Sequence, residues 1–317
     1  IINHNDINCS KFCIMDINLS VIFILSNNRF MQNKNIIITG ATDGIGLQAA
    51  KVIAKKGFRV GLVGRNPKKG EKAKEAIIKE TSNDNIDFFE CDLSLIANVK
   101  KLSRQIKNKY DKLDVLLNNA GGANKAKHIT SEGLEKTFAT NQMNYFVLTN
   151  ELLDMLSVSD DGRVVNVASN AHIGAKIDYE NINSEKKFSP WTSYSVSKLM
   201  NIMFTYQLNK MQDKVSVNVL HPGFVDTNIA GNEGNIIKYF VKFGSKLFAR
   251  SVENGADSSI YLSTSDEVKG ISGRYFFKCK EIKSSKNSYI QEDWKKVWGV
   301  CDNFMRLSLI HISEPTR

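Results

Sequence analysis

Lys34-Asn35-Ile36-Ile37-Ile38-Thr39-Gly40-Ala41-Thr42-Asp43-Gly44-Ile45-Gly46 decides how the rest of the chain is read. Its first half is an apolar, β-branched run, suited to a strand buried on both faces. A glycine turn follows at once. A helical pattern with Ala49, Ala50, Val52, Ile53 and Ala54 comes next, closed by Gly57 as a C-cap. Strand, turn and helix start together make a dinucleotide-binding unit. The glycines allow a tight turn and close backbone approach, and the helix N-terminus offers free N–H groups and a positive dipole end to a pyrophosphate. Gly40, Thr42, Asp43, Gly44, Ile45 and Gly46 are therefore candidate cofactor-binding residues. The bland alternative is a glycine-rich turn with no ligand.

Outward from that unit, strand and helix patterns alternate. Strands are expected at Arg59–Arg65, Ile86–Glu90, Leu113–Leu117, Arg163–Ala168, Val215–Leu220 and Gly273–Lys278. Helices are expected over about Lys68–Thr81, Gly133–Leu156 and Glu253–Thr264, with further ones between. This order predicts an α/β chain with a single-domain Rossmann fold. Its doubly wound parallel sheet has about seven strands flanked by helices on both faces, and ligands bind where the strand order switches. The second strand ends in Gly64-Arg65-Asn66, with no acid. An acid near this point holds the ribose 2′-OH of NAD, whereas an Arg accommodates the 2′-phosphate of NADP. NADP(H) is thus expected ahead of NAD(H), with Arg65 discriminating; otherwise Arg65 is a solvent-exposed strand end.

A second stretch carries the chemistry. Tyr194-Ser195-Val196-Ser197-Lys198 opens a long helical run in which Leu199, Ile202, Met203, Tyr206 and Leu208 follow at helical spacing. Residues four apart share a helix face, so the Tyr194 hydroxyl and the Lys198 ammonium approach one point. A free phenol with a pKa near ~10 is a poor acid-base group at neutral pH. A cation beside it favours the phenolate and moves it toward the working range. Alone, this pattern is more often an ordinary amphipathic helix.

Together, Thr39-Gly40 through Gly44-Ile45-Gly46 and Tyr194 through Lys198 resemble the short-chain dehydrogenase/reductase family, over roughly Lys34 to Trp298. The glycine spacing is that of its TGxxxGIG branch, and the chain is similar to the retinol-dehydrogenase-like members. The resemblance implies hydride transfer between a nicotinamide cofactor and a small-molecule carbonyl or alcohol. Asp92, beside Leu93, corresponds to the family's adenine contact; its plainer role would be to cap the next helix, a job for which Ser94 competes. Asn118-Asn119-Ala120-Gly121 matches the segment that steadies the sheet and lines the cofactor ribose, so Asn119, Ala120 and Gly121 are carried over. Asn141 resembles the helix-embedded Asn that holds a water in the proton relay. In Ala168-Ser169 the second position is the family's catalytic serine, while His172 has no chemical role in the similar members. Pro222, Gly223, Val225 and Thr227 match the segment contacting the nicotinamide carboxamide and pyrophosphate. Asn141, Ser169, Tyr194 and Lys198 are the expected catalytic set, the last two also touching the cofactor.

The 317 residues carry a formal net charge of +10, but Glu71, Glu75 and Glu80 interleave with Lys68, Lys69, Lys72, Lys74 and Lys79. That is a solvated helix face, not a basic stripe, and nucleic acid is not an expected partner. Five scattered cysteines propose neither a disulfide scaffold nor a metal, and fit a reducing compartment such as the cytoplasm. Residues 1–30 read as a leader or non-native extension with Met31 as a natural start, residues 31–306 as the domain, and residues 307–317 as a non-native tail. Ile236 to Arg250 pairs an apolar face with a basic one: a lid over a lipophilic substrate, a peripheral membrane contact, or a helix packed on its own core. The family resemblance implies a homodimer or homotetramer through the helices of Asn141 and Tyr194. A cofactor-binding scaffold or redox sensor without chemistry is the alternative function.

Overall fold

Neighbouring side chains along a strand point to opposite faces, and here each face of the sheet has its own core. The computed structural model describes residues 34–223 and 251–313. In β1 (Asn35–Thr39), Ile36 and Ile38 enter one layer and Ile37 the other. The same division runs through β2 (Arg59–Gly64), β4 (Val115–Asn118) and β5 (Arg163–Val167): Leu62, Leu117 and Val165 on the first side, Val63, Leu116 and Val164 on the second. Apolar residues of α1 (Gly44–Lys55), α2 (Pro67–Thr81) and α6 (Val252–Thr264) close the first layer. The second is closed by α3 (Ile96–Lys109), α4 (136–157), α5 (Pro190–Met211) and α7 (Gln291–Ser313). The helix α4 is continuous but has three pieces: Lys136–Phe138, a π-helical stretch Ala139–Met143, and Asn144–Ser157.

With β3 (Ile86–Glu90), β6 (Ser216–Leu220), β7 (Tyr275–Phe277) and β8 (Lys280–Ile282), the sheet order is β3-β2-β1-β4-β5-β6-β7-β8. All pairs are parallel except β7 with β8, where Tyr275 lies opposite Ile282. Among the described residues the sheet therefore has eight strands and an antiparallel edge, not about seven parallel ones. The hairpin turns on Lys278 and Cys279, both left-handed at φ 50° and 59°. Such a turn normally announces itself by Asn-Gly or Gly-Gly, so this one gives no signal in sequence.

Two helix starts also differ from expectation. The helix α4 begins at Lys136 instead of Gly133, because Gly133 sits in a turn at φ 78° and the Glu135 carboxylate accepts from the Thr137 and Phe138 N–H groups. At α3 neither Asp92 nor Ser94 is the cap. The Glu132 carboxylate, from the loop before α4, accepts from Ile96 N–H at 2.6 Å and Ala97 N–H at 2.9 Å. It satisfies orphan donors at the positive end of the helix dipole. Glu132→Ala is expected to lower the unfolding free energy by about 1 kcal/mol in a urea titration, with Glu132→Gln losing less.

The helix α7, which the sequence reading did not include, covers the outer aromatic side of α4 and α5. Trp298 meets Phe146 edge-on at 4.9 Å and stacks on Phe204 at 5.9 Å. Phe304 meets Phe138 at 5.6 Å, and Val297 and Cys301 are fully buried. This helix continues past Leu307.

Candidate active site

Between β1 and β4 the strand order reverses, which is where an open α/β sheet leaves a crevice beyond the carboxyl ends of its strands. The turn from β1 into α1 stands there. Gly40 and Gly44 are left-handed at φ 65° and 53°. A Cβ on Gly46 would lie 2.3 Å from the Gly40 carbonyl oxygen and 2.5 Å from Asn119 Nδ2. Only a bare backbone closes this turn. Asp43 caps α1, its carboxylate accepting from Gly44 N–H at 2.8 Å.

The Asn119 segment is bolted to that turn. Asn119 Nδ2 donates to the Thr39 carbonyl at 2.8 Å, and the Thr39 hydroxyl accepts from the N–H groups of Asn119 and Ala120. Arg65 lies just past β2, exposed; a Cβ on its neighbour Gly64 would meet Thr42 of the glycine turn at 2.6 Å. Asp92 folds back on its own loop, accepting from Ser94 N–H at 3.0 Å and Ser94 Oγ at 2.7 Å, while Leu93 is buried. Pro222 and Gly223 follow β6, with Gly223 at φ 84°. Val225, Thr227 and the Ile236–Arg250 stretch lie outside the described residues.

The four expected catalytic residues converge. Ser169 lies two residues past β5, at the head of the turn Asn170–His172, and its hydroxyl shares a hydrogen bond with the Tyr194 hydroxyl. Lys198, one turn along α5, donates from Nζ to the Val167 carbonyl at 2.8 Å and stands over the rings of Tyr145 and Tyr194 at 5.5 Å and 5.9 Å. A Cβ on Gly121 would sit 3.0 Å from Lys198 Nζ and 3.2 Å from Asn141 Oδ1, which places both beside the Asn119 segment. Asn141 lies in the π-helical stretch, a feature that recurs at functional sites. Its amide makes a two-way bond with the Gly122 backbone, 2.9 Å each way, and donates to Ser197 Oγ at 2.9 Å.

The electrostatics differ from expectation in one respect. Burial pushes the Tyr194 hydroxyl up, and the Ser169 hydrogen bond only partly opposes this. Burial also brings Lys198 down from 10.5 to about 7. The cation expected to lower the phenol is itself disfavoured, because both groups are cut off from water. Each is held toward its neutral form.

Sequence reasoning missed a buried polar scaffold. Asn201 Nδ2 donates to the Asn141 carbonyl and to Gln142 Oε1, both at 2.9 Å, and so ties the π-helical stretch to α5. Asn118 donates to Thr149 and Asn166, and Asn166 to Thr205, joining β4 and β5 to α4 and α5. One signal was present: Tyr194, Lys198 and Asn201 share a helix face at i, i+4 and i+7.

Residues 34–236 match the family model described as short chain dehydrogenase. The chain is 34% identical over 271 residues to a human polyprenol dehydrogenase, covering 83% of this chain and 82% of that one. It is 32% identical over 285 residues to mouse retinol dehydrogenase 13, covering 88% and 85%. Among solved structures, a Shigella flexneri short chain dehydrogenase complexed with NADP superposes with a TM-score of 0.58 at 25% identity, covering 78% of this chain and 98% of that one.

Proposed function

The chain belongs to the short-chain dehydrogenase family, in its retinol-dehydrogenase-like branch, and on that premise we propose that it interconverts a lipophilic alcohol and its carbonyl with NADP(H). Membership makes it an oxidoreductase acting on CH–OH groups. The nucleotide, the substrate class and the residue roles are the proposal. The observation that carries it is the Ser169–Tyr194 hydrogen bond beside Lys198 and Asn141, next to the glycine turn.

The residues present fit a dinucleotide. Gly40, Gly44 and Gly46 leave the backbone bare at the start of α1, and Arg65 stands exposed beside them with no acid at the end of β2. Thr42, Ile45, Asp92, Leu93, Asn119, Ala120, Gly121, Pro222 and Gly223 are proposed to line the same cofactor, and Val225 and Thr227, outside the described residues, are proposed as cofactor contacts on the family motif alone. When bound, the nucleotide supplies or accepts the hydride.

In reduction, the Tyr194 hydroxyl gives its proton to the substrate oxygen, and in oxidation it takes that proton back. Ser169 Oγ donates a hydrogen bond to the same oxygen as negative charge develops on it. A lysine titrating near 7 takes up and releases a proton at neutral pH, so Lys198 is suited to reprotonate Tyr194. Asn141, fixed beside it, closes the proton path.

The lipophilic substrate rests on the apolar face of Ile236–Arg250 in the sequence and on the two relatives, whose names concern polyprenol and retinol. We place the protein in the cytoplasm or at the surface of an intracellular membrane. Among the described residues no helix is long and apolar enough to cross a membrane. A homo-oligomer would pair through surface that α7 leaves free, since α7 covers the aromatic side of α4 and α5.

The test is titration with NADPH and NADH of wild type and Arg65→Ala. The variant is expected to lose about tenfold in NADPH affinity, the size of a charged hydrogen bond, and none for NADH. Equal losses for both nucleotides would remove Arg65 as the discriminating residue.

A further inference from the structure

His172 is a buried imidazole, 1% exposed, three residues beyond Ser169 and without a role in the chemistry above. Both of its ring nitrogens are engaged by backbone. Nδ1 lies 2.6 Å from the Ser169 carbonyl oxygen, which can only accept, so Nδ1 carries the proton. Nε2 accepts from the Ser285 N–H at 3.1 Å, so Nε2 carries the lone pair. The two partners fix a neutral ring of one tautomer. It is thereby excluded as a general acid or base.

What it connects is more telling. The Ser169 Oγ that meets Tyr194 also accepts from Ala171 N–H at 3.2 Å, and the Ser169 carbonyl receives both the His172 N–H and the His172 imidazole. Ser285 belongs to the segment between β8 and α7. That segment is anchored to α5 by the Tyr206 and Ser284 hydroxyls, 2.8 Å apart, is braced internally where Ser284 Oγ meets Ser288 Oγ at 2.6 Å, and is tied to α7 by Trp294 Nε1, which donates to the Ser288 carbonyl at 2.7 Å. Asn287 Nδ2 donates back to the Ala175 carbonyl, beyond the serine turn. The contacts form a closed circuit: Ser169, His172, Ser285, Ser284, Tyr206 on α5, Tyr194 on the same helix, and Ser169 again. Tyr275 of β7 braces the ring edge-on at 5.3 Å.

We propose that His172 is a positioning residue: it triangulates the Ser169 hydroxyl against Tyr194 by tying the serine turn, through the Ser285 N–H, to a segment anchored on the tyrosine helix. The inference rests on the catalytic assignment of Ser169 and Tyr194. Its physical content is that a misplacement of about 1 Å at a reacting group costs up to ~100-fold in rate. Burial lowers the imidazole's pKa and the Ser169 carbonyl opposes this, with no acidic or basic side chain contributing.

The substitution that breaks the link is Ser285→Pro. Ser285 has φ −65°, within proline's range, but the proline Cδ takes the place of the N–H aimed at Nε2, so the change deletes the donor and pushes the His172 ring from its seat. Ser285→Ala measures the loss of the side chain alone. Relative to Ser285→Ala, Ser285→Pro is expected to lower kcat about tenfold with KM for the nucleotide unchanged. In ¹⁵N-histidine spectra, the His172 signal, assigned by its absence in His172→Gln, should stay a non-titrating Nδ1–H ring in wild type and Ser285→Ala. It should lose that signature in Ser285→Pro. Equal kcat in the two Ser285 variants, or a His172 signal unaffected by the proline, overturns the proposal. A wild type that turns over no carbonyl or alcohol, with Tyr194→Phe indistinguishable from it, overturns the catalytic assignment instead, and the spectra still decide whether the lock exists.

Discussion

Tyr194→Phe is expected to lower kcat by about three orders of magnitude while leaving nucleotide affinity within about twofold. The substitution removes one oxygen from a ring that is 6% exposed, and the apolar contacts of that ring with Ala123, Ala171 and Trp191 remain. It leaves the Ser169 hydroxyl able to bind the substrate oxygen but takes away the proton that must reach it. General acid-base catalysis by one positioned group accounts for about 10²–10⁴ in rate, and the expected loss is the middle of that range. The measurement is steady-state reduction of lipophilic ketones and aldehydes alongside fluorescence titration of the nucleotide. Retention of more than about a tenth of the activity would mean that another group delivers the proton.

Lys198→Met is expected to end turnover and yet to stabilise the fold, by roughly 2–4 kcal/mol at neutral pH. The lysine is 3% exposed, and burial brings its pKa from 10.5 to about 7. Between those two values the unfolded chain holds a proton that the folded chain has released. Folding stability therefore rises with pH across that window, and below pH 7 the full cost of burying the charge is present. Methionine fills a similar volume and removes the titration, although it also gives up the hydrogen bond to the Val167 carbonyl, which Tyr145 still supplies at 3.2 Å. Chemical denaturation of both proteins between about pH 7 and 10.5 tests this. The difference in unfolding free energy should be largest at the acidic end and shrink as pH rises. A wild type more stable than the variant throughout would show that Lys198 supports the fold it was expected to strain.

Much of the site was legible because its parts are local. The turn from Thr39 to Gly46 is a matter of which residues can adopt φ near 60° and which can spare a Cβ, and spacing alone reports both. Tyr194 and Lys198 meet because a helix returns to one face every four residues. What could not be read depends on distant partners. Glu132 caps a helix that begins 36 residues before it, against the nearer candidates Asp92 and Ser94. The hairpin at Lys278-Cys279 is imposed by pairing with β7, since neither residue favours a left-handed backbone. The helical period of Trp294, Val297, Trp298, Cys301, Phe304 and Met305 was present, but Gly299 and the neighbouring tail obscured it. The direction of the Tyr194 shift is not a property of the motif at all. It follows from how completely the surrounding helices and strands exclude water.

The position of α7 sets a schedule for biosynthesis. Its residues leave the ribosome after every other described element, and Trp298 and Phe304 are what cover Phe146, Phe204 and Phe138. From Met211, where α5 ends, to Ser313 is 102 residues (313 − 211), which takes about 5–20 s at typical translation speeds. For that interval the helices that carry Asn141 and Tyr194 are without the Trp298 and Phe304 rings that cover their aromatic side. Until α7 is made, this layer of the fold is incomplete and offers chaperones an aromatic surface to hold.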